Sequence, residues 1–279
     1  MGAVPLILCL LPSLFAPVAT AEPVGTTYAL LIGITRYKAP ELNLQYAAAD
    51  ATLISEFQRS PRGGVPSENI LLLTDGEATS LKIRRGLQDL KRRSSKNDTI
   101  VILIAGRGTV ELTGSRTAFI LSYDSDPQDL KGTALAVGEL QAFVAEQLQS
   151  VARVILFLDV CRSGSISASS TAGMSRSLEA LGAAPGKLFG FLATTPNQVS
   201  IEGPGFGGGH GVFGYYLVKG MQGEADTNAD GFVGADELVS YVAAQVQKAT
   251  GRRQRPREFG TYEKEMRLSD LSKPGISLP

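Results

Sequence analysis

The sequence predicts an α/β fold, with a mostly parallel central sheet covered by helices on both faces. Short apolar runs rich in Val, Ile and Leu, bounded by Gly, Asp or Pro, alternate with longer stretches of helical period. Near-continuous apolar runs of this kind are typical of parallel strands that are buried on both faces. The chain has 279 residues, which is enough to bury one sizeable core, so we expect a single folded domain.

The individual elements follow from the same patterns. Strands are predicted at Tyr28–Ile34, Asn69–Thr74, Thr99–Ala105, Arg153–Asp159 and Leu188–Thr194. Helices are predicted at Tyr46–Gln58, Ser80–Arg93 and Val137–Gln149, where apolar residues recur on one face. Residues 110–135 contain Gly114 and a polar run before Phe119–Tyr123, which indicates a β-hairpin excursion. Residues 162–187 are rich in Ser, Ala and Gly, which indicates a loop.

The first 21 residues are apolar and end in Ala19-Thr20-Ala21, the A-x-A form of a signal-peptidase site. Prolines within this stretch argue against a membrane helix, and no later run is long enough to span a bilayer. We therefore expect a cleaved signal peptide at 1–21, a folded domain at 22–250 and a C-terminal tail at 251–279. The first part of the tail, GRRQRPREFG at 251–260, is interpreted as a solvated, Pro-broken linker, with a basic contact strip as the alternative. The protein is expected to be secreted or periplasmic, with no stable membrane span after cleavage.

Charge and cysteine content narrow the possible functions. Lys plus Arg and Asp plus Glu each number 27, so no global basic field favours nucleic acid as a partner. The two cysteines are Cys9 and Cys161, and signal cleavage would remove the first. An unpaired thiol in an oxidising compartment is exposed to oxidation, so Cys161 is either a small apolar residue or a functional one.

Two of the predicted strands run into glycine-flanked polar residues. Arg107 lies in the stretch AGRG directly after Thr99–Ala105, and Cys161 lies in DVCRSG directly after Arg153–Asp159. In open α/β sheets, functional residues gather outside the carboxyl ends of the strands. If these two strands are neighbours, Arg107 and Cys161 lie side by side in one site.

The order of motifs from about Tyr28 to Val246 resembles the caspase-like and metacaspase-like cysteine peptidases, especially their bacterial secreted members. The resemblance is carried by YALLIGITRY, LQYAAADA, TIVILIAGRG, RVILFLDVCRSG and HGVFGYYLVKG, in the order found in that family. It implies the caspase-hemoglobinase fold. The family's catalytic pair is a histidine in Ser-Gly-His-Gly and a cysteine in Asp-x-Cys-His-Ser-Gly. Cys161 fills the nucleophile position here, and Arg107 stands where the histidine is expected.

The resemblance also implies roles for other residues. The main-chain N–H groups of Gly108 and Cys161 would form the oxyanion hole. Asp50 and Asp159 match the acidic pocket that accepts Lys or Arg, although Ala105 replaces a serine that joins this pocket. Arg107 pairing with one of these aspartates is an open alternative. Without the resemblance, Asp50 would be interpreted as a surface carboxylate on a helix.

Arginine cannot replace the catalytic histidine in both of its tasks. A guanidinium stabilises a nearby thiolate by its charge, but it stays protonated and cannot give a proton to a leaving amine. Loss of general acid–base catalysis typically costs about 10²–10⁴-fold in rate. The sequence thus favours a pseudopeptidase or strongly impaired peptidase that binds a peptide or protein partner in its cleft. The alternative is an active cysteine endopeptidase that cleaves after Arg or Lys. Its acid would be water, His210 after loop movement, or an unrecognised residue, although we expect His210 to begin a helix.

Residues 226–237, DTNADGFVGADE, match the twelve-residue pattern of an EF-hand calcium loop. The oxygen ligands would come from Asp226, Asn228, Asp230, the Phe232 carbonyl and Glu237, with Gly231 at the turn. We expect Ca²⁺ to act there as a structural clip. The alternative is a turn rich in Asp and Asn that side-chain caps stabilise without a metal. The oligomeric state cannot be predicted from these residues.

Overall fold

A computed structural model of the chain describes residues 25–111, 117–147, 149–162, 176–178, 180–183, 186–195 and 198–278, and for Cys161 and Arg162 it describes the main chain only. The strands are β1 (Thr27–Gly33), β2 (Ile70–Thr74), β3 (Thr99–Val110), β4 (Ala118–Ile120), β5 (Leu135–Ala136), β6 (Arg153–Arg162), β7 (Leu188–Leu192), β8 (Glu202–Gly203), β9 (His210–Gly211), β10 (Phe232–Gly234), β11 (Arg257–Phe259) and β12 (Arg267–Asp270). The helices are α1 (Ala47–Arg59), α2 (Ser80–Arg93), α3 (Leu130–Thr133), α4 (Val137–Gln147), α5 (Val212–Lys219) and α6 (Ala235–Ala249).

One large sheet has the strand order β11-β7-β6-β3-β1-β2, and β4 and β5 extend it beside the end of β3. The pairs from β2 to β7 are parallel, whereas β11 is antiparallel to β7 and β4 is antiparallel to β3. The α/β fold with a mostly parallel sheet is therefore confirmed. Parallel strands place their carboxyl ends at one edge, and the candidate site lies there.

Helices cover both faces of the sheet because side chains of successive strand residues point to opposite sides. Ile100, Ile102 and Ile104 of β3 pack in one apolar core with residues of α2 and α4. Val101 and Leu103 pack in a second core with residues of α1, α5 and α6. This two-sided burial explains why the strand sequences show continuous apolar runs in place of alternation.

The central strands extend further than the sequence indicated. β3 continues to Val110 and β6 to Arg162, so AGRG belongs to a strand and does not end one. Gly106 has a different reason to be glycine, because a Cβ there would lie 2.8 Å from the Tyr37 hydroxyl. Its glycine permits this close approach within a strand. The hairpin excursion is present: β3 pairs with β4, and β4 pairs with β5.

The C-terminal segment expected to be a solvated tail is part of the fold, which corrects that expectation. β11 pairs with β7 at the edge of the main sheet, and β12 pairs with β10. Gln254 is fully buried, and its side-chain amide donates to the Ala193 carbonyl at 3.1 Å. These short charged segments have little strand signal of their own, so their pairing partners define them as strands.

Within the part of the chain that the structure describes, we find no helix with the length and apolarity needed to cross a membrane. The expected signal peptide at 1–21 and most of the expected loop at 162–187 lie outside the described residues.

Candidate functional site

Arg107 and Cys161 lie side by side on neighbouring strands. The parallel register of β3 and β6 pairs Arg107 with Cys161, and two residues earlier it pairs Ala105 with Asp159. Neighbouring strands are about 4.8 Å apart, so the two positions belong to one site. The Cys161 side chain lies outside the described residues, and its role as a nucleophile stays a prediction.

The Arg107 side chain is held by main-chain carbonyls of the segment 40–43. Its Nε donates to the Leu42 carbonyl at 2.8 Å, and its Nη2 donates to the Asn43 carbonyl at 3.0 Å. The main-chain N–H of Arg107 donates to the Tyr37 hydroxyl at 2.6 Å. The Asn43 side chain in turn accepts from the main-chain N–H of Tyr37 at 2.8 Å. The Arg107 guanidinium is thus held by defined partners, at the position where the resemblance predicts the family's histidine.

Asp50 projects from the first turn of α1 and is almost completely buried. Its Oδ1 lies 3.0 Å from His210 Nδ1, and the main-chain N–H of Gly211 donates to both carboxylate oxygens at 3.0 and 3.1 Å. Burial raises the pKa of Asp50 to about 6, although the hydrogen bond and charge of His210 and the Gly211 N–H act in the opposite direction. Asp50 is therefore a member of a buried site and not a surface carboxylate.

Asp159 provides a second buried carboxylate two residues before Cys161. The Ser200 hydroxyl donates to its Oδ1. Burial raises the pKa of Asp159 to about 7; the Ser200 hydrogen bond opposes this, and the charges of Asp50 and Glu202 add to it. Gly211 separates the two aspartates, because a Cβ there would lie 2.6 Å from Asp50 Oδ2 and 3.5 Å from Asp159 Oδ2. The structure thus brings Asp50 and Asp159 together against the Gly211 backbone, where a side chain would clash with Asp50.

Arg107 does not neutralise these aspartates in the part of the chain that is described. The carboxylate of Asp50 bonds to His210 and Gly211, and that of Asp159 bonds to Ser200. The alternative in which Arg107 pairs with a site aspartate is therefore not the arrangement found among these residues.

His210 lies in the acidic site, directly before α5. It forms β9 with Gly211 and is only 7% exposed. Three glycines with positive φ precede it, Gly207, Gly208 and Gly209, with values of 55°, 81° and 143°. Such values favour glycine, so this turn places the imidazole against Asp50. His210 was expected to begin a helix, but the helix begins at Val212 with Gly211 as its N-cap, and His210 precedes it in β9. The contact with Asp50 is a feature that the sequence did not indicate.

Glu202 is a third carboxylate of the site, and the sequence did not indicate it. Its two carboxylate oxygens accept the main-chain N–H groups of Gln45 and Tyr46, each at 2.9 Å, just before α1 begins. Its negative charge helps raise the pKa of both aspartates. A lone acidic residue between Ile201 and Gly203 carries no sequence signal for this position, and Ser200 and Tyr37 were missed for the same reason.

Gly108, the other residue expected in an oxyanion hole, is a paired position within β3. It stands in register with Ile120 of β4 and with Arg162 of β6. The oxyanion hole stays a prediction, and its two residues lie on adjacent strands and not in two loops.

The loop 226–237 lies apart from this site, between α5 and α6. Its side chains cap its own main chain: Asp226 accepts from Gly231 N–H at 3.2 Å, and Glu237 accepts from Gly234 N–H at 3.0 Å. Burial alone would raise the pKa of Glu237, but hydrogen bonds from Gly234, Thr227 and Asn228 lower it. These contacts are those expected of the turn without a metal.

One carboxylate oxygen of the loop is free to bind a cation. Asp226 Oδ1 is buried without a hydrogen-bond partner among the described residues. Strand β10, within the loop, pairs with β12. In the described ranges, however, no three His, Cys, Asp or Glu side chains are gathered as ready metal ligands. The donor set consists of oxygens and suits Ca²⁺, and its side chains now bond to the loop itself.

Comparison with known proteins agrees with this geometry. A search of curated protein sequences finds no match to this chain. Among solved structures, the chain is similar to the crystal structure of protein GSU0716 from Geobacter sulfurreducens, at 17% sequence identity and a TM-score of 0.62, covering 88% of this chain and 99% of the other. At this identity the likeness concerns the fold alone. A family model described as the caspase domain matches residues 26–266, nearly the whole of the described region, and the chain therefore belongs to the caspase-domain family of cysteine peptidases.

Proposed function

We propose that this caspase-domain protein is a pseudopeptidase or strongly impaired peptidase whose cleft binds an extended peptide or a protein partner. The observation that carries this proposal is the place of Arg107, in register with Cys161 and bonded to the Leu42 and Asn43 carbonyls. Peptide cleavage by a cysteine requires a group that returns a proton to the leaving amine. A guanidinium does not release its proton at physiological pH, so an arginine at this position cannot protonate the leaving amine.

The acidic residues of the site support a ligand with a basic side chain. Asp50 and Asp159 approach each other across Gly211, Glu202 adds negative charge beside both, and the His210 imidazole is bonded to Asp50. A Lys or Arg side chain of a ligand would supply positive charge to carboxylates that burial makes costly to ionise. An arginine in place of the histidine leaves this attraction between the carboxylates and a basic ligand unchanged.

The alternative, an active endopeptidase that cleaves after Arg or Lys, is favoured by one observation. His210 and Asp50 form a buried imidazole–carboxylate pair in the same site, a pairing that orients an imidazole for proton transfer. Under this alternative, His210 would transfer protons in place of the histidine predicted at position 107.

The deciding experiment measures hydrolysis of Arg- and Lys-terminated fluorogenic peptides by the native protein and by its Arg107→His, Cys161→Ala and His210→Gln variants. We expect no turnover by the native protein and a gain of turnover in Arg107→His that Cys161→Ala removes. Arg107→Lys is the matched control, because it keeps a charge without an imidazole. Native turnover that is lost in both Cys161→Ala and His210→Gln would establish the alternative.

We further propose that the loop 226–237 binds Ca²⁺ through Asp226, Asn228, Asp230, the Phe232 carbonyl and Glu237. The match to the calcium-loop pattern and the unpartnered Asp226 Oδ1 support this. Affinity is expected at roughly 10⁻⁴–10⁻³ M, as for structural sites in extracellular modules. The melting temperature of the native protein should rise with millimolar Ca²⁺, and Glu237→Gln should abolish the rise. Glu68→Gln, at an exposed carboxylate outside the loop and its cavity, is the control, and an unchanged native melting temperature would leave the metal-free turn as the explanation.

A further inference from the structure

We propose that a cavity at the amino ends of β1, β3 and β6 binds a small molecule that carries a carboxylate or phosphate group. The cavity has a volume of about 250 Å³. It lies at the opposite end of the sheet from the acidic site: β3 runs from Thr99, which lines the cavity, to Arg107, about 26 Å away at 3.3 Å per residue. The two sites therefore bind separate ligands.

The polar lining of the cavity consists of cationic and neutral groups. Its polar side chains are Thr27, Gln58, Asn97, Thr99, Arg153 and Arg267. No carboxylate is among the described residues that line it. Two guanidiniums with neutral donors around them, and no acid between them, form a site with net positive charge.

Neither arginine is neutralised by an ion pair within the described ranges. The Arg267 guanidinium lies 3.6 Å from the ring centroid of Phe232, a cation–π contact that leaves its N–H groups available. Arg267 also lines a second cavity, whose lining includes Asp230, Asp236, Glu237 and Glu265. Two further acids that interact with these arginines lie outside the lining of the first cavity. The hydrogen bond and charge of Lys187 lower the pKa of Glu263, and the charge of Arg153 adds to this; the Ser272 hydrogen bond lowers the pKa of Asp270, and Arg267 adds there.

Gln58 is a polar residue of the cavity lining whose amide has no hydrogen-bond partner among the described residues. Its side chain lines the cavity, and the residue is only 6% exposed. Its amide forms no hydrogen bond with any residue that the structure describes. A ligand in the cavity would satisfy it.

The chemistry of these groups defines the ligand. A guanidinium presents paired N–H donors that match two oxygens of a carboxylate or phosphate. The volume is below the roughly 300–1,000 Å³ typical of sites for drug-sized ligands, which limits the occupant to a small anion. The amide and hydroxyl groups are suited to its neutral oxygens.

The test is isothermal titration calorimetry with inorganic phosphate and, separately, malonate, at an ionic strength held constant with sodium chloride. We expect at least one of the two probes to bind the native protein. Arg153→Gln and Arg267→Gln should each weaken binding at least tenfold, and Gln58→Met severalfold. Arg255→Gln, which removes an exposed arginine outside the cavity, should bind as the native protein does.

The two probes identify the source of the anionic group, since preference for phosphate or malonate distinguishes a phosphorylated ligand from a carboxylic acid. Because Arg267 is exposed, its variant tests the proposal even if Arg153→Gln does not fold. Absence of binding by both probes, or equal binding by native protein and the arginine variants, would overturn it.

Discussion

Asp159 shows how a single buried carboxylate makes the stability of this protein depend on pH. Its pKa is raised from 3.8 to about 7 in the folded chain. Between these values the folded state binds a proton that the unfolded state has released. Stability therefore falls as pH rises from about 4 to above 7, because ionisation of the buried group opposes folding.

We predict that Asp159→Asn removes much of this dependence. At about 1.4 kcal/mol per pKa unit, the native protein should lose about 4 kcal/mol between pH 4 and pH 8 that the variant keeps. Urea unfolding at a series of pH values measures this difference. Glu265→Gln, at an exposed carboxylate, is the matched control and should follow the native curve. Parallel curves for native protein and Asp159→Asn would show that Asp159 is ionised in the folded state.

At the scale of elements, Gly190 determines how β11 lies against β7. A Cβ at this position would lie 2.2 Å from Cζ of Phe259, which belongs to β11. The ring of Phe259 thus occupies the space that a side chain of β7 would need, and the antiparallel pairing of the two strands places them together.

We predict that Gly190→Ala destabilises the protein by about 1–3 kcal/mol, because it overpacks this contact. The loss should be much smaller in a Phe259→Ala background, which a double-mutant cycle of unfolding free energies measures. Gly138→Ala is the control: no atom lies within 4 Å of its added Cβ, and α4 should tolerate or favour the alanine. Equal losses from Gly190→Ala with and without Phe259 would contradict the steric explanation.

The elements also show which parts of the fold the sequence predicts. The five long strands and helices α1, α2 and α4 were found within a few residues, because apolar periodicity reports burial directly. The ends of β3 and β6 were placed too early, since Gly106 resembles a strand terminator while it serves a contact with Tyr37. β11 and β12 were missed because short strands at an edge depend on their partners.

Some residues of the candidate site could likewise be predicted from the sequence, and others could not. The motif positions Arg107, Cys161, Asp50 and Asp159 could be assigned from the family resemblance, and the sheet register and burial bring them to one end of the sheet. Glu202 and Ser200 could not be assigned, because their contacts with α1 and β6 join segments far apart in the chain. Long-range hydrogen bonds of this kind leave no periodic pattern in the sequence.

For the whole molecule, the C-terminal segment is a structural requirement. Arg62 donates to the Lys273 carbonyl at 3.0 Å, and the buried Ser269 donates to the Met221 carbonyl at 2.7 Å. Together with β11 and β12, these bonds connect the segment after residue 256 to the turn after α1, to β7 and to the loop 226–237.

We predict that deleting residues 257–279 prevents stable folding, because it exposes the β7 edge and the core beneath β12. Circular dichroism and size-exclusion chromatography should show an aggregated or unfolded chain. Deleting only residues 277–279 is the control. This variant should be folded and should elute at the same position as the native protein. A folded product from the longer deletion would show that the earlier residues form a complete domain.

The pairing of β7 with β11 has a consequence for the growing polypeptide on the ribosome. Residues 193–256 separate Leu192 from its partner Arg257, so the edge of β7 is made well before the strand that covers it. Until then, this apolar strand offers unpaired N–H and C=O groups to other nascent chains. Slower translation across residues 193–256 would prolong that interval, so codon choice in this stretch is a determinant of how much of the protein is recovered folded.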